Sequence, residues 1–148
     1  MPLPTLPDSV LHLILLLALP KDPLSPSTLP RRYSHLLRYT RVCRQFARVA
    51  QQLLYTHIDL CTSIAAGELC AAVDGSVGAR RLAFTRARTL RVGRPQREVD
   101  KDWLISKGDV RQVLTRLPGL REILIDAVVV EALDLSVCAE LKSLHLSR

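Results

Sequence analysis

Leu120-Arg121-Glu122-Ile123-Leu124-Ile125 and Leu141-Lys142-Ser143-Leu144-His145-Leu146 are two copies of one pattern, apolar-x-x-apolar-x-apolar. The apolar positions are Leu120, Ile123 and Ile125 in the first copy and Leu141, Leu144 and Leu146 in the second, an offset of 21 residues. Alternation over the last positions of each copy predicts a short strand with one apolar face. One such strand cannot bury its apolar row alone, whereas neighbouring copies stacked side by side can bury it together.

Two earlier segments alternate in the same way, Thr89-Leu90-Arg91-Val92 and His57-Ile58-Asp59-Leu60. Ile58 to Leu90 spans 32 residues and Leu90 to Ile123 spans 33. Ile64 to Val73 and Val110 to Leu117 read as helices between the strands, the second ended by Pro118-Gly119. Asp74 to Gly78 reads as a turn, and Pro95 to Asp102 as a polar connection. The 21-residue offset falls within the period of about 20–29 for leucine-rich repeats, and longer units leave room for helices on the outer face. Residues 61–148 are therefore expected to form an irregular, leucine-rich-repeat-like α/β solenoid. Such arrays need roughly three or more repeats and a polar cap. The sequence stops at Ser147-Arg148, just past a strand, so the array is expected to be incomplete and to expose its last apolar row. Exposed strand positions such as Arg121, Asp126 and His145 are where recognition would lie, though they define no site.

The N-terminal part has a different period. Pro7 suits the first turn of a helix, and Asp8 places negative charge at the positive end of its dipole. The helix is expected to run to about Ala18 and stop before Pro20. Val10, Leu11, Leu13, Ile14, Leu15, Leu16 and Leu17 cover most of its circumference. A helix apolar nearly all round has to be buried on more than one side. The run also resembles the apolar stretch of a secretory signal. However, Met1 to Ser9 lacks Lys and Arg, Pro20-Lys21-Asp22-Pro23 follows in place of a cleavage pattern, and the run is shorter than the roughly 20 residues of a membrane span. A buried helix is the expectation.

Pro20, Pro23, Pro26 and Pro30 mark a loop. From Tyr33 to Tyr55 a helical stripe follows: Tyr39, Val42, Cys43, Phe46, Val49, Ala50, Leu53 and Leu54. Arg38, Arg41, Arg44, Gln45, Arg48 and Gln52 lie mostly off the stripe and read as a solvated face.

The formal charge of +7 comes from 21 basic and 14 acidic residues, with the excess confined to residues 1–100. The arginines are spread singly, without the interleaved aromatics that stack bases, so nucleic acid is not the expected partner. Cys43, Cys61, Cys70 and Cys138 form no C-x-x-C pair and match no His at ligand spacing. They read as small buried hydrophobes of a reducing compartment, cytoplasmic or nuclear. Paired carboxylates, a phosphate-cradling Gly loop and a nucleophile elbow are all missing from the sequence. His12, His35, His57 and His145 are scattered. Neither intrinsic catalysis nor a metal or cofactor is expected.

Leu6-Pro7-Asp8-Ser9-Val10-Leu11, followed by Ile14 and Leu17, resembles the opening of the F-box motif. Leu36-Leu37-Arg38-Tyr39-Thr40-Arg41-Val42-Cys43-Arg44-Gln45-Phe46 looks like its second half, and Leu53-Leu54-Tyr55-Thr56-His57-Ile58 like its close, which in fungal-type members leads into a solenoid. The resemblance covers about residues 5–60, so the F-box domain is assigned to 1–60. The sequence departs from the family pattern in two places. Residues 20–33 form a Pro-rich insertion where the family has a short link, and Phe46 stands where Trp is frequent. Lengthening a surface loop costs little entropy, while the smaller aromatic is a weaker anchor. The resemblance implies a three-helix module that docks on the Skp adaptor of a cullin–RING ubiquitin ligase, with downstream repeats selecting a protein substrate. It implies Leu6, Pro7, Val10, Leu11, Ile14, Leu17, Val42, Cys43, Phe46 and Tyr55 as adaptor-binding. The overall class is then α+β, and the competing expectation is a repeat scaffold with no ligase link.

Overall fold

The computed structural model of the 148-residue chain describes residues 6–22, 25, 28–93, 105–126 and 135–147. The chain is a mixed helix–strand protein with two compact units, Met1–Leu54 and Tyr55–Arg148. The expected boundary at residue 60 moves earlier, because His57–Leu60 is a strand hydrogen-bonded within the second unit. Among the described residues no helix is long and apolar enough to cross a membrane.

The first unit holds α1 (Asp8–Ala18), α2 (Leu29–Tyr39) and α3 (Arg44–Thr56), whose last two residues pass into the second unit. Pro7 sits one position earlier than expected, at the N-cap of α1, with φ −56°. Its carbonyl accepts from the Val10 and Leu11 N–H groups at 3.0 Å, which starts the helix without a side-chain cap. Leu19 is extended, and Pro20 follows. Helix α2 begins inside the stretch expected to be a loop. Pro30 falls in its first turn, where the missing N–H is no loss. The helix expected to run unbroken from Tyr33 to Tyr55 is two helices with a corner at Thr40–Cys43. There the Thr40 hydroxyl donates to the Leu37 carbonyl at 2.7 Å, and Val42 N–H bonds Tyr39 O at 3.1 Å. In the sequence the three- and four-residue apolar spacing runs on through the corner, which hides it from a periodicity reading. Val42 and Cys43 lie at the corner and are exposed.

Leu11, Leu15, Leu19, Leu36, Val49, Ala50 and Leu53 form the core of this unit, with Tyr39, Phe46 and Leu54 packed against it. The Tyr39 and Phe46 rings meet edge to face at 6.4 Å. Arg32 is buried, and its guanidinium donates to Pro20 O at 2.8 Å. That bond fastens the end of α1 to the first turn of α2, giving the long connection a fixed anchor.

The second unit holds β1 (His57–Leu60), α4 (Ser63–Gly75), α5 (Val77–Arg86), β2 (Thr89–Val92), α6 (Lys107–Arg116), β3 (Glu122–Asp126) and β4 (Ser143–Ser147). The expected connection at 95–102 lies outside the described residues. The four strands form one parallel sheet in sequence order. Ile58 pairs in register with Leu90, Leu90 with Ile123, and Ile123 with Leu144, matching the spacings read from the sequence. Ile58, Leu60, Leu90, Val92, Ile123 and Ile125 share one core with Ala66, Cys70 and Val73 of α4, Ala83 of α5 and Val110, Val113 and Leu114 of α6. On β4 the equivalent Leu144 and Leu146 are exposed.

Side-chain caps define the helices. Thr62 caps α4, Ser76 caps α5, and Ser106 with Asp109 forms a capping box on α6. The segment expected to be a turn at Asp74–Gly78 therefore holds the end of α4, the cap and the start of α5. A backbone ladder also joins the turns that precede the strands. Arg88 N–H donates to Thr56 O at 3.1 Å, Arg121 N–H to Arg88 O at 2.8 Å, and Lys142 N–H to Arg121 O at 2.7 Å. Gly119 sits tightly in this region, since a Cβ there would come within 3.1 Å of Phe84 O and 3.2 Å of the Arg88 guanidinium. Gly119→Ala is expected to destabilise the second unit by about 1–3 kcal/mol, through overpacking against backbone. A lowered urea midpoint at unchanged m-value checks it.

Candidate docking surface

Helix α1 has two apolar sides of opposite fate. Leu11 and Leu15 face the core at 1 % and 2 % exposure. Val10, Leu13, Ile14 and Leu17 recur at three- and four-residue steps, which places them in one stripe spanning about 100° of the helix. All four are exposed, Leu17 at 82 %. Leu16 beside the stripe is exposed too, as are Leu6 before the helix and Leu37 on α2.

The residues that the resemblance assigned to adaptor binding separate accordingly. Leu6, Pro7, Val10, Ile14, Leu17, Val42 and Cys43 are exposed, Val42 at 60 %. Leu11 is a core residue and has no surface to offer a partner. Phe46 is half-buried against the core of the first unit. Tyr55 belongs to the second unit, packed against that unit's core, so the described structure does not group it with the others. Leu13 was not assigned, although the step from Val10 to Leu13 to Leu17 could have found it. Cys43, exposed, and Cys61, half-buried, depart from the expectation of four buried thiols. Cys70 and Cys138 do fit it, with burial pushing both thiols up.

The N-terminal end of α1 is tied down by charge. Both carboxylate oxygens of Asp8 accept from Arg48 at 2.8 Å, and one also accepts from Gln45 Nε2 at 2.9 Å. Gln45 further donates to the Leu6 carbonyl. Gln45 and Arg48 thus bind α1 to α3, in addition to lying on the face expected to be solvated. The hydrogen bond from Arg48 holds the Asp8 carboxyl below its ordinary range. A depressed folded-state value gives stability that is present above the unfolded value and lost as pH falls through the folded one. The small contribution of this exposed pair is therefore expected to be lost as pH falls below about 4. Asp8→Asn should remove that part of the pH dependence, as circular dichroism titrations of the two proteins would show.

The sheet face away from the core is mostly polar, with Leu124 as its apolar member. His57 Nδ1 lies 2.5 Å from Thr89 Oγ1. His145 Nε2 lies 2.7 Å from Ser143 Oγ and 3.3 Å from Glu122 Oε1. The serine, histidine and glutamate resemble a nucleophile relay in composition only. Both contacts fall on the same ring nitrogen, whereas a relay needs the carboxylate on one nitrogen and the hydroxyl on the other. Of the strand positions expected to be exposed, His145 is, and Arg121 pairs with Glu140 at 3.5 Å with about half its side chain exposed. The Asp126 side chain lies outside the described residues. No group of three His, Cys, Asp or Glu among the described residues could hold a metal ion. No protein-family model matches the chain, and no curated protein is significantly similar to it.

Proposed function

We propose that the chain is a substrate-receptor subunit of a Skp–cullin–F-box-type ubiquitin ligase, acting in the cytoplasm or nucleus. Its first unit is the F-box and docks on the Skp adaptor. Its second unit is a leucine-rich-repeat-like solenoid that selects a protein substrate. With no matching family model, support comes from the first helix. The stripe of Val10, Leu13, Ile14 and Leu17 is solvent-facing on a helix whose other side already fills a core. Such a contiguous apolar strip marks an interaction site. The stripe and Val42 lie within the motif that resembles the F-box. The parallel strands at 32-, 33- and 21-residue steps support the repeat reading. Ubiquitin transfer would be the chemistry of the partners.

Co-expression with a Skp adaptor tests the proposal. A stable one-to-one complex is expected, weakened by Pro7→Ala combined with Val42→Asp and less by Arg44→Ala. No complex at micromolar concentration would leave a repeat scaffold without a ligase link.

A further inference from the structure

Between Asp74 and Glu98 the sequence has seven arginines and no acidic residue. Helix α5 lies inside this stretch. At about 100° per residue, Val77, Arg80, Arg81 and Phe84 share one face of α5. That face points outward: Val77 is 84 % and Phe84 63 % exposed, while Ala83 on another side is fully buried. Arg80 and Arg81 are exposed as well. An exposed Val and Phe interleaved with arginines is not a plain solvated helix face.

Phe84 also lines an open groove of about 410 Å³, together with Thr85, Arg88, Pro118, Gly119, Ala139 and Glu140. The groove lies where the turns before β2, β3 and β4 line up through the backbone ladder. Its size is near the lower end of the range for ligand pockets, about 300–1,000 Å³. Gly119 lets the Phe84 carbonyl and the Arg88 guanidinium approach its backbone closely. The Arg88 guanidinium is fixed at the wall by donating to Thr85 O at 3.1 Å and Gly119 O at 3.3 Å. Those partners are carbonyls, so no described carboxylate hydrogen-bonds it. Glu140, which also lines the groove, is paired with Arg121.

We propose that this groove binds an acidic peptide segment of a partner protein, taking one apolar side chain between Phe84 and Pro118. Carboxylates flanking that side chain lie along α5, against Arg80, Arg81 and Arg88 and away from Glu140. Nucleic acid fits less well. The groove is largely apolar, a carboxylate stands on one lip, and the single exposed ring lacks the successive aromatics of a base-stacking platform. The groove is built within the second unit, and its occupancy does not require the adaptor.

Fluorescence anisotropy on the full chain tests this. The probe is a fluorescein-labelled peptide with one leucine between runs of aspartate. Controls are the same peptide with glycine for leucine, with lysines for aspartates, and a single-stranded DNA oligomer. Saturable binding of the aspartate–leucine peptide is expected, at least about tenfold tighter than the glycine or lysine version. Phe84→Ala and Arg81→Glu should each weaken it by about tenfold or more. Both side chains are exposed, so circular dichroism should not change. Absence of binding, equal binding of the glycine peptide, or preferential binding of the DNA oligomer overturns the proposal.

Discussion

Leu17→Asp is expected to weaken the complex with a Skp adaptor by roughly 10- to 100-fold or more, while the variant melts at the wild-type temperature. Leu17 is 82 % exposed, so an aspartate there costs the free protein little. In a complex that covers the stripe, losing a leucine forfeits about 1.5–3 kcal/mol of apolar burial. A desolvated carboxylate without a partner adds to that cost. Titration calorimetry with purified adaptor, paired with thermal melts, separates the two readouts. Undiminished affinity would falsify docking through this stripe. A lower melting temperature would show that Leu17 is a structural residue in solution.

Two positions earlier, Leu15→Ala is expected to do the reverse. Leu15 is 2 % exposed and packs in the cluster with Leu11, Leu36, Val49 and Leu53. Truncating a core leucine typically costs about 2–5 kcal/mol. A unit of some 50–60 residues has little stability to spare. The first unit should therefore lose most of its folded population, while the second, with its own core around Leu90, Leu117 and Ile123, stays folded. Hydrogen exchange reads this directly. Amides of α1 and α2 should lose protection, and amides of β2 and β3 should keep it. Equal loss in both units would mean that the two cores unfold as one.

The strands were legible because their signal is local and repeated. Alternation marked each one, and the recurrence of apolar pairs at fixed steps gave the register of Ile58, Leu90, Ile123 and Leu144. Helix α5 was not legible. Its apolar residues split between two faces, Val77 and Phe84 on one and Ala79, Leu82 and Ala83 on the other, and only Ala83 is buried. Ser76 before the helix was the available clue, as an N-cap hydroxyl. The corner between α2 and α3 was hidden because neither Gly nor Pro marks it. On α1 the abundance of leucine showed that more than one side had to be covered. It could not say which side was core, since that depends on where α2 and α3 deliver Leu36, Val49 and Leu53. Leu11 was placed on the docking side by its position in the resembling motif, which does not separate the two faces. The roles of Gln45 and Arg48 toward Asp8 were equally invisible, because they join residues about 40 apart.

The two outer strands of the described sheet differ in what their apolar rows meet. On β1, Ile58 and Leu60 are buried, whereas on β4 their counterparts Leu144 and Leu146 are exposed. A polar side chain in place of Leu146 therefore costs the fold little, whereas one in place of Leu60 leaves a polar group in the core without water. The same position of the pattern is tolerant at one end of the sheet and intolerant at the other.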